Sequence, residues 1–313
     1  MLKFTLTFIT LACCGCVAAP ATTANTNSAP YLLVLGVAQD AGYPQAGCFA
    51  QHCLAGWEGR RDKALPVSLG LVDPLNNAQY LFEATPAIGE QLYDLHAANA
   101  TTTMRLDGIF LTHAHMGHYT GLMHLGREAM GAQGINVYAM PRMARFLNDN
   151  GPWSQLVDLG NIALKPLQAE VAVATGQIRV TPFLVPHRDE FSETVGYRIE
   201  GPNRSVLFIP DIDKWSKWQR DIAVEIERVD YAFIDATFFD GGELPGRDMS
   251  EIPHPFVVES MQDLASLSPS QRRKVWFIHF NHSNPLLLDD SAAAKRVRKA
   301  GFGLAKRGMK VDL

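Results

Sequence analysis

The run Thr112-His113-Ala114-His115-Met116-Gly117-His118 sets three imidazoles within six positions, directly after the apolar stretch Gly108-Ile109-Phe110-Leu111. On an extended backbone His113 and His115 share a face, and His118 reaches the same pocket once the chain turns. Neutral imidazole is the commonest protein ligand for zinc and also suits iron, copper and nickel, so the run is a metal-site signature. A fold built around it must end a buried strand in a turn and bring further donors to that turn from elsewhere. The plain alternative, three surface histidines in a loop, fits poorly with a buried strand immediately before them.

The rest of the chain reads as alternating strands and helices without repeats. Strand-like runs are Tyr31 to Val37, Val67 to Asp73, Gln79 to Ala84, Asp107 to Thr112, Ile135 to Ala139, Ile178 to Val185, Val195 to Ile199, Ser205 to Ile209, Tyr231 to Ala236 and Val275 to Phe280. Helical candidates are Pro86 to Ala97, Gly121 to Met130, Pro141 to Asn148, Ser216 to Arg228, Pro255 to Leu267 and Ser291 to Ala300, several opened by Pro or Ser. That pattern predicts layered α/β packing with both sheets buried under helices. Polar residues gather at downstream strand ends: Asp40, Glu83, the His cluster, His187-Arg188-Asp189, Asp211, Asp235 and His279-Phe280-Asn281-His282. A lone Asp or His at a strand end is more often a turn residue; so many together point to a shared site.

With 313 residues, 47% of them hydrophobic, the chain can bury a full core, and a net charge of -4 without a long basic run argues against a nucleic-acid partner. Residues 1–30 read as a leader and linker: a positive start at Lys3, an apolar core from Phe4 to Ala12, then low-complexity sequence to Ser28. Export to the periplasm or cell envelope is the expectation. Leu11-Ala12-Cys13-Cys14-Gly15-Cys16 also looks like a lipoprotein cleavage box, with Cys14 or Cys16 lipidated, so membrane attachment is expected only through an N-terminal lipid. Cys48 and Cys53 then remain. They can form a disulfide, or with His52 a small zinc site for which no fourth ligand is visible.

The order of motifs from Tyr31 onward resembles the metallo-β-lactamase superfamily, whose fold is an αββα sandwich with one or two metals at the edge of its two mixed sheets. The resemblance rests on His113, His115, His118, His187, Asp211 and His279 or His282, in that order. It implies a domain spanning 31–313. It further implies that His113, His115 and His187 bind one metal, while His118, Asp211 and the late histidine, His279 or His282, bind a second. Within the superfamily the chain looks most like the pyrroloquinoline quinone biosynthesis protein B branch. The residues that carry this are Gly42-Tyr43-Pro44-Gln45 with Cys48, His118-Tyr119-Thr120-Gly121-Leu122, Asp235-Ala236-Thr237-Phe238 and Ile278-His279-Phe280-Asn281-His282-Ser283-Asn284-Pro285. Members of that branch lack the first two histidines of the cluster, which this chain keeps.

One departure stands out: Gly117 occupies the position that is Asp in the superfamily run. Asp40 is the candidate substitute, its alternative being a turn-forming Asp before Ala41-Gly42. Restoring Asp at 117 is expected to raise occupancy of the second metal. The resulting reading is an exported hydrolase that uses one or two zinc ions, or iron, to activate water against a small ester, lactone or lactam. Asp211 would orient the water, Glu83 or Asp235 would steady a ligand histidine, and His254 or His282 would protonate the leaving group. An iron-dependent oxidative enzyme and a non-catalytic metal- or ligand-binding envelope protein are the alternatives.

Overall fold

A computed structural model describes residues 1, 29–99 and 104–313. The leader reading at 1–30 therefore lies almost wholly outside the described residues. The first sheet contains β1 (Tyr31–Gly36), β2 (Ser68–Asp73), β3 (Ala78–Phe82), β4 (Gly108–Phe110), β5 (Ile135–Ala139) and β6 (Ile162–Pro166). The second contains β7 (Val173–Thr175), β8 (Ile178–Leu184), β9 (Val195–Glu200), β10 (Ser205–Ile209), β11 (Tyr231–Asp235), β12 (Val275–Ile278) and β13 (Gly303–Leu304). The chain then returns as β14 (Lys310–Asp312) to pair with β1, which makes both sheets seven-stranded.

Both sheets are mixed. The order β14-β1-β2-β3-β4-β5-β6 is antiparallel up to β3 and parallel beyond it, and the order β13-β12-β11-β10-β9-β8-β7 is parallel up to β10 and antiparallel beyond it. The period of two explains why β1 is apolar throughout. Leu32 and Val34 face the second sheet, whereas Tyr31, Leu33 and Leu35 face the outer helices. Helices Ile88–Asn99, Pro141–Asp149 and Trp153–Asp158 cover the first sheet through Ile88, Leu92, Leu95, Met143, Leu147 and Leu156. Helices Ile222–Glu227, Val257–Asp263 and Ala292–Lys299 cover the second through Ile222, Ile226, Val257, Ala294 and Val297. The result is the expected αββα sandwich.

Between the sheets an aromatic stack fills the core. Phe110 lies over Tyr138 at 4.3 Å and beside Phe82 at 5.1 Å, and Tyr197 and Phe208 meet Phe82 edge-on at 5.3 and 6.1 Å. Some expected elements differ. Gly121 to Met130 is not an α-helix but a 3₁₀ turn at Thr120–Leu125: the Gly121 N–H goes to the Ala84 carbonyl and the His118 carbonyl accepts the Ala84 N–H, both at 2.9 Å, so these groups are lost to a helical ladder, and only glycine fits so close to Thr85. Ser216 to Arg228 breaks into a 3₁₀ turn at Trp215–Lys217 and the short helix Ile222–Glu227. Strands β6, β7, β13 and β14 were not expected: three of the four have three residues or fewer, and their pairing is set by neighbours rather than by pattern.

Phe208 is fully buried between the sheets. Phe208→Ala should therefore destabilise the protein by about 3–5 kcal/mol in urea unfolding. A loss below about 1 kcal/mol would contradict the packing described.

Candidate metal centre

Strands β1, β3, β4, β8, β10, β11 and β12 all run in the same sense within their sheets, so their downstream ends meet at one edge of the sandwich. That edge receives Asp40, Glu83, the His113–His118 segment, His187, Asp211, Asp235 and His279 in chain order. The two sheets are clamped there. Gln39 N–H donates to the Phe280 carbonyl at 2.8 Å and Phe280 N–H to the Val37 carbonyl at 2.8 Å. Tyr197 donates its hydroxyl to the Leu111 carbonyl, Val195 N–H reaches the Thr112 carbonyl at 3.2 Å, and Ala114 N–H donates to Ser192 Oγ at 2.8 Å. The His segment thus leaves the first sheet but is held by the second.

Three imidazoles converge around one carboxylate. His113 Nε2 lies 2.8 Å from His115 Nδ1, and His187 Nε2 lies 3.3 Å from the same His115 atom. Asp211 faces them, with Oδ2 3.3 Å from His113 Nε2 and Oδ1 3.2 Å from His187 Nε2. Across Asp211, His118 Nε2 lies 3.6 Å from Oδ2 and 3.3 Å from Asp40 Oδ1. Asp40, His118 and His279 each offer an atom within 4.8 Å of the other two. His118 Nε2, His279 Nε2, Asp40 Oδ1 and Asp211 Oδ1 are buried and make no hydrogen bond among the described residues. Buried polar atoms that face one another without hydrogen-bond geometry are the donor arrangement a cation satisfies, so these residues fit a metal.

Two buried carboxylates stand behind the imidazoles. Glu83 accepts the Thr112 hydroxyl at 2.6 Å and lies 3.2 Å from His118 Nδ1, while Thr112 Oγ1 also lies 2.8 Å from His113 Nδ1. Asp235 accepts from Thr237 Oγ1 at 2.7 Å and lies 2.8 Å from His254 Nδ1, and Thr237 Oγ1 lies 2.8 Å from His279 Nδ1. Such partners fix which ring nitrogen is free to bind. Burial keeps His113 well below the usual imidazole range and hence neutral, the form a metal needs. For His254 burial acts against charge, but Asp235 and Asp211 outweigh it and push the imidazole up to about 9. Asp40, Glu83 and His279 hold left-handed φ angles of 27°, 76° and 70°, a strained backbone for non-glycine residues at a site.

His282 is not brought in. It packs beside His52, ring centroids 5.6 Å apart, in a group with Cys48 and Cys53, because the turn after His279 directs it outward. Cys48 and Cys53 are joined in a disulfide, which takes their sulfurs out of metal binding; only with both thiols reduced would His282 supply the fourth donor, beside His52, that the sequence left invisible for a zinc site there. The geometry at Gly117 changes the outcome expected of an Asp there. A Cβ on Gly117 would lie 2.3 Å from Asp40 Cα, so Gly117→Asp should lower occupancy at His118 rather than raise it. Nothing in the sequence assigns Glu190, 3.3 Å from His115 Nε2, or Ser192 to the site, nor the roles of Thr112 and Thr237 against the imidazoles. The one available signal was an acid three positions after His187.

Residues 71–280 match the beta-lactamase superfamily domain. The chain belongs to that superfamily. Coenzyme PQQ synthesis protein B of Methylorubrum extorquens (strain PA1) is 26% identical over 314 residues, covering 90% of this chain and 100% of the relative. The same-named protein of Gluconobacter oxydans (strain 621H) is 25% identical over 308 residues, covering 89% and 97%. Among solved structures, Zn(2+)-bound PqqB from Methylobacterium extorquens superposes with a TM-score of 0.76 at 22% identity, covering 90% of this chain and 100% of that one. A diphosphatase from the PhnP family gives 0.63 at 21%, covering 91% and 97%. The chain is similar to these PqqB proteins over about 90% of its length and carries clustered His and Asp donors.

Glu243 ties the His254 loop to the segment after His279, accepting from Phe239 N–H at 2.7 Å and Ser283 Oγ at 2.6 Å. Burial pushes its carboxyl from 4.5 up to about 7. The folded state therefore keeps a proton that the unfolded chain releases, and stability falls as pH rises from about 4.5 through about 7. Relative to Glu243→Gln, the parent should lose on the order of 3 kcal/mol between acidic and alkaline buffer. Thermal unfolding of both proteins across that range checks it, and parallel curves would refute it.

Proposed function

We propose that the chain is a metal-dependent hydrolase that takes a small ester, lactone or lactam. The observation that carries this reading is the convergence of His113 Nε2, His115 Nδ1 and His187 Nε2 on the buried Asp211. In it His113, His115 and His187 would hold one zinc, and His118, Asp211 and His279 would hold a second. A bound zinc supplies a Lewis acid that acidifies water and polarises a carbonyl.

The chain's own residues do the rest. Asp211 is placed to orient the attacking water, being the one carboxylate among the described residues that faces both histidine groups. Glu83 and Asp235 hold the imidazoles in single orientations through Thr112 and Thr237. His254, its Nδ1 committed to Asp235, is the donor to the leaving oxygen or nitrogen. Export is part of the proposal, and the Cys48–Cys53 disulfide supports an oxidising compartment.

A second reading, an iron-dependent oxidative enzyme, is favoured by the likeness to the coenzyme PQQ synthesis proteins over 90% of the chain. His and carboxylate donors suit zinc and iron alike, so the metal itself separates the two. Elemental analysis of protein purified without chelator should find one or two zinc per chain, the one at His113, His115 and His187 lost in His115→Ala, with turnover of esters, lactones or lactams that needs no oxygen. Bound iron with oxygen-dependent turnover would replace the hydrolase by the oxidative enzyme. His254→Gln should keep its metal and lower kcat by roughly 100-fold or more; undiminished kcat would remove His254 from the mechanism.

A further inference from the structure

We propose that Asp40 is the second carboxylate of the metal centre, moved from the position two residues after His115 to the loop after β1, with Gly117 as the other half of the exchange. This rests on the reading above that the edge binds metal, and it adds a donor which the superfamily run does not contain.

Three observations carry it. The first is steric exclusion: a Cβ on Gly117 would lie 2.3 Å from Asp40 Cα, 2.4 Å from Asp40 Oδ1 and 2.8 Å from Asp40 Cβ. Positions 40 and 117 compete for one volume, and the side chain that fills it here comes from the β1 loop. The second is the aim of the carboxylate. Asp40 Oδ1 is buried, lies 3.3 Å from His118 Nε2 and makes no hydrogen bond among the described residues, just as His118 Nε2 and His279 Nε2 do not. The third is that Asp40 is not serving its turn. The Gly42 N–H goes to the Gln39 carbonyl, and the hydrogen bond that the Asp40 carboxylate accepts comes from the Gln39 side chain at 3.1 Å. A turn-forming Asp would accept from backbone N–H groups just after it. Asp40 instead keeps a strained φ of 27° with Oδ1 facing the imidazoles.

The exchange has a chemical consequence. With Asp40 and Asp211 the centre keeps two carboxylates, so its anionic charge equals that of a site with Asp at 117, and no gain in water acidity follows from Gly117. It also has a mechanical one. The donor is anchored by the clamp between the sheets at Gln39 and Phe280 rather than by the short helix Met116–Tyr119.

Metal-stripped protein titrated with Zn2+ by calorimetry, with elemental analysis of the endpoints, tests this. The parent should bind two zinc ions. Asp40→Ala should keep one at parental affinity and bind the other more than about 100-fold more weakly, beyond the loss caused by an outer hydrogen-bond partner. His279→Ala should show the same split. The retained zinc and an unchanged thermal transition report that the variant is folded, and Asp40→Asn, which conserves shape, should fall on the same side. Two zinc ions at parental affinity in Asp40→Ala would overturn the proposal, as would a parent that saturates at a single zinc removed by His115→Ala. A parent that binds no zinc would overturn the underlying reading together with it.

Discussion

Asp211 is a buried carboxylate with four imidazole nitrogens between 3.2 and 3.6 Å from it, those of His113, His118, His187 and His254. Removing a carboxylate from water costs several kcal/mol unless it is surrounded by opposing charge or donors. Those donors come from strands in both sheets, so the site exists only where the two sheets end together. The clamps at Phe280, Thr112 and Leu111 hold that edge, and the aromatic stack of Phe82, Phe110, Tyr138, Tyr197 and Phe208 keeps the sheets in register behind it. The strained φ angles at Asp40, Glu83 and His279 persist because this frame over-determines them.

The two sheets contribute in parallel ways. Each ends a strand in a fully buried carboxylate, Glu83 in the first and Asp235 in the second, and each carboxylate works through a threonine hydroxyl. Glu83 and Thr112 together orient His118 and His113; Asp235 and Thr237 together orient His254 and His279. A hydroxyl relays orientation to a second ring without adding a second buried charge. That permits four imidazoles to be set by two acids, at a smaller desolvation penalty than four acids would impose.

Much of this was legible in the chain itself. Apolar runs with period two marked the ten principal strands, and the three-histidine run, His187, Asp211 and His279 marked the edge. The departures share a cause. Thr120–Leu125 is not an α-helix because Gly121 and His118 exchange backbone hydrogen bonds with Ala84 instead, and the short strands β7, β13 and β14 carry too few residues to leave a pattern. Glu190, Thr112 and Thr237 look like ordinary loop residues until the rings beside them are placed. His282 resembles His279 in sequence, yet the turn between them points it toward the disulfide.

What the sequence determined by itself was the set of elements and the chemical character of their ends, because both follow from local periodicity and from which side chains can ligate or titrate. What only the tertiary structure decided was which donors face one another. Asp40 is 77 positions from Gly117, and nothing local couples them. Their relation arises because two strand ends bring one volume to both, and a volume shared by distant segments is a property of packing rather than of pattern.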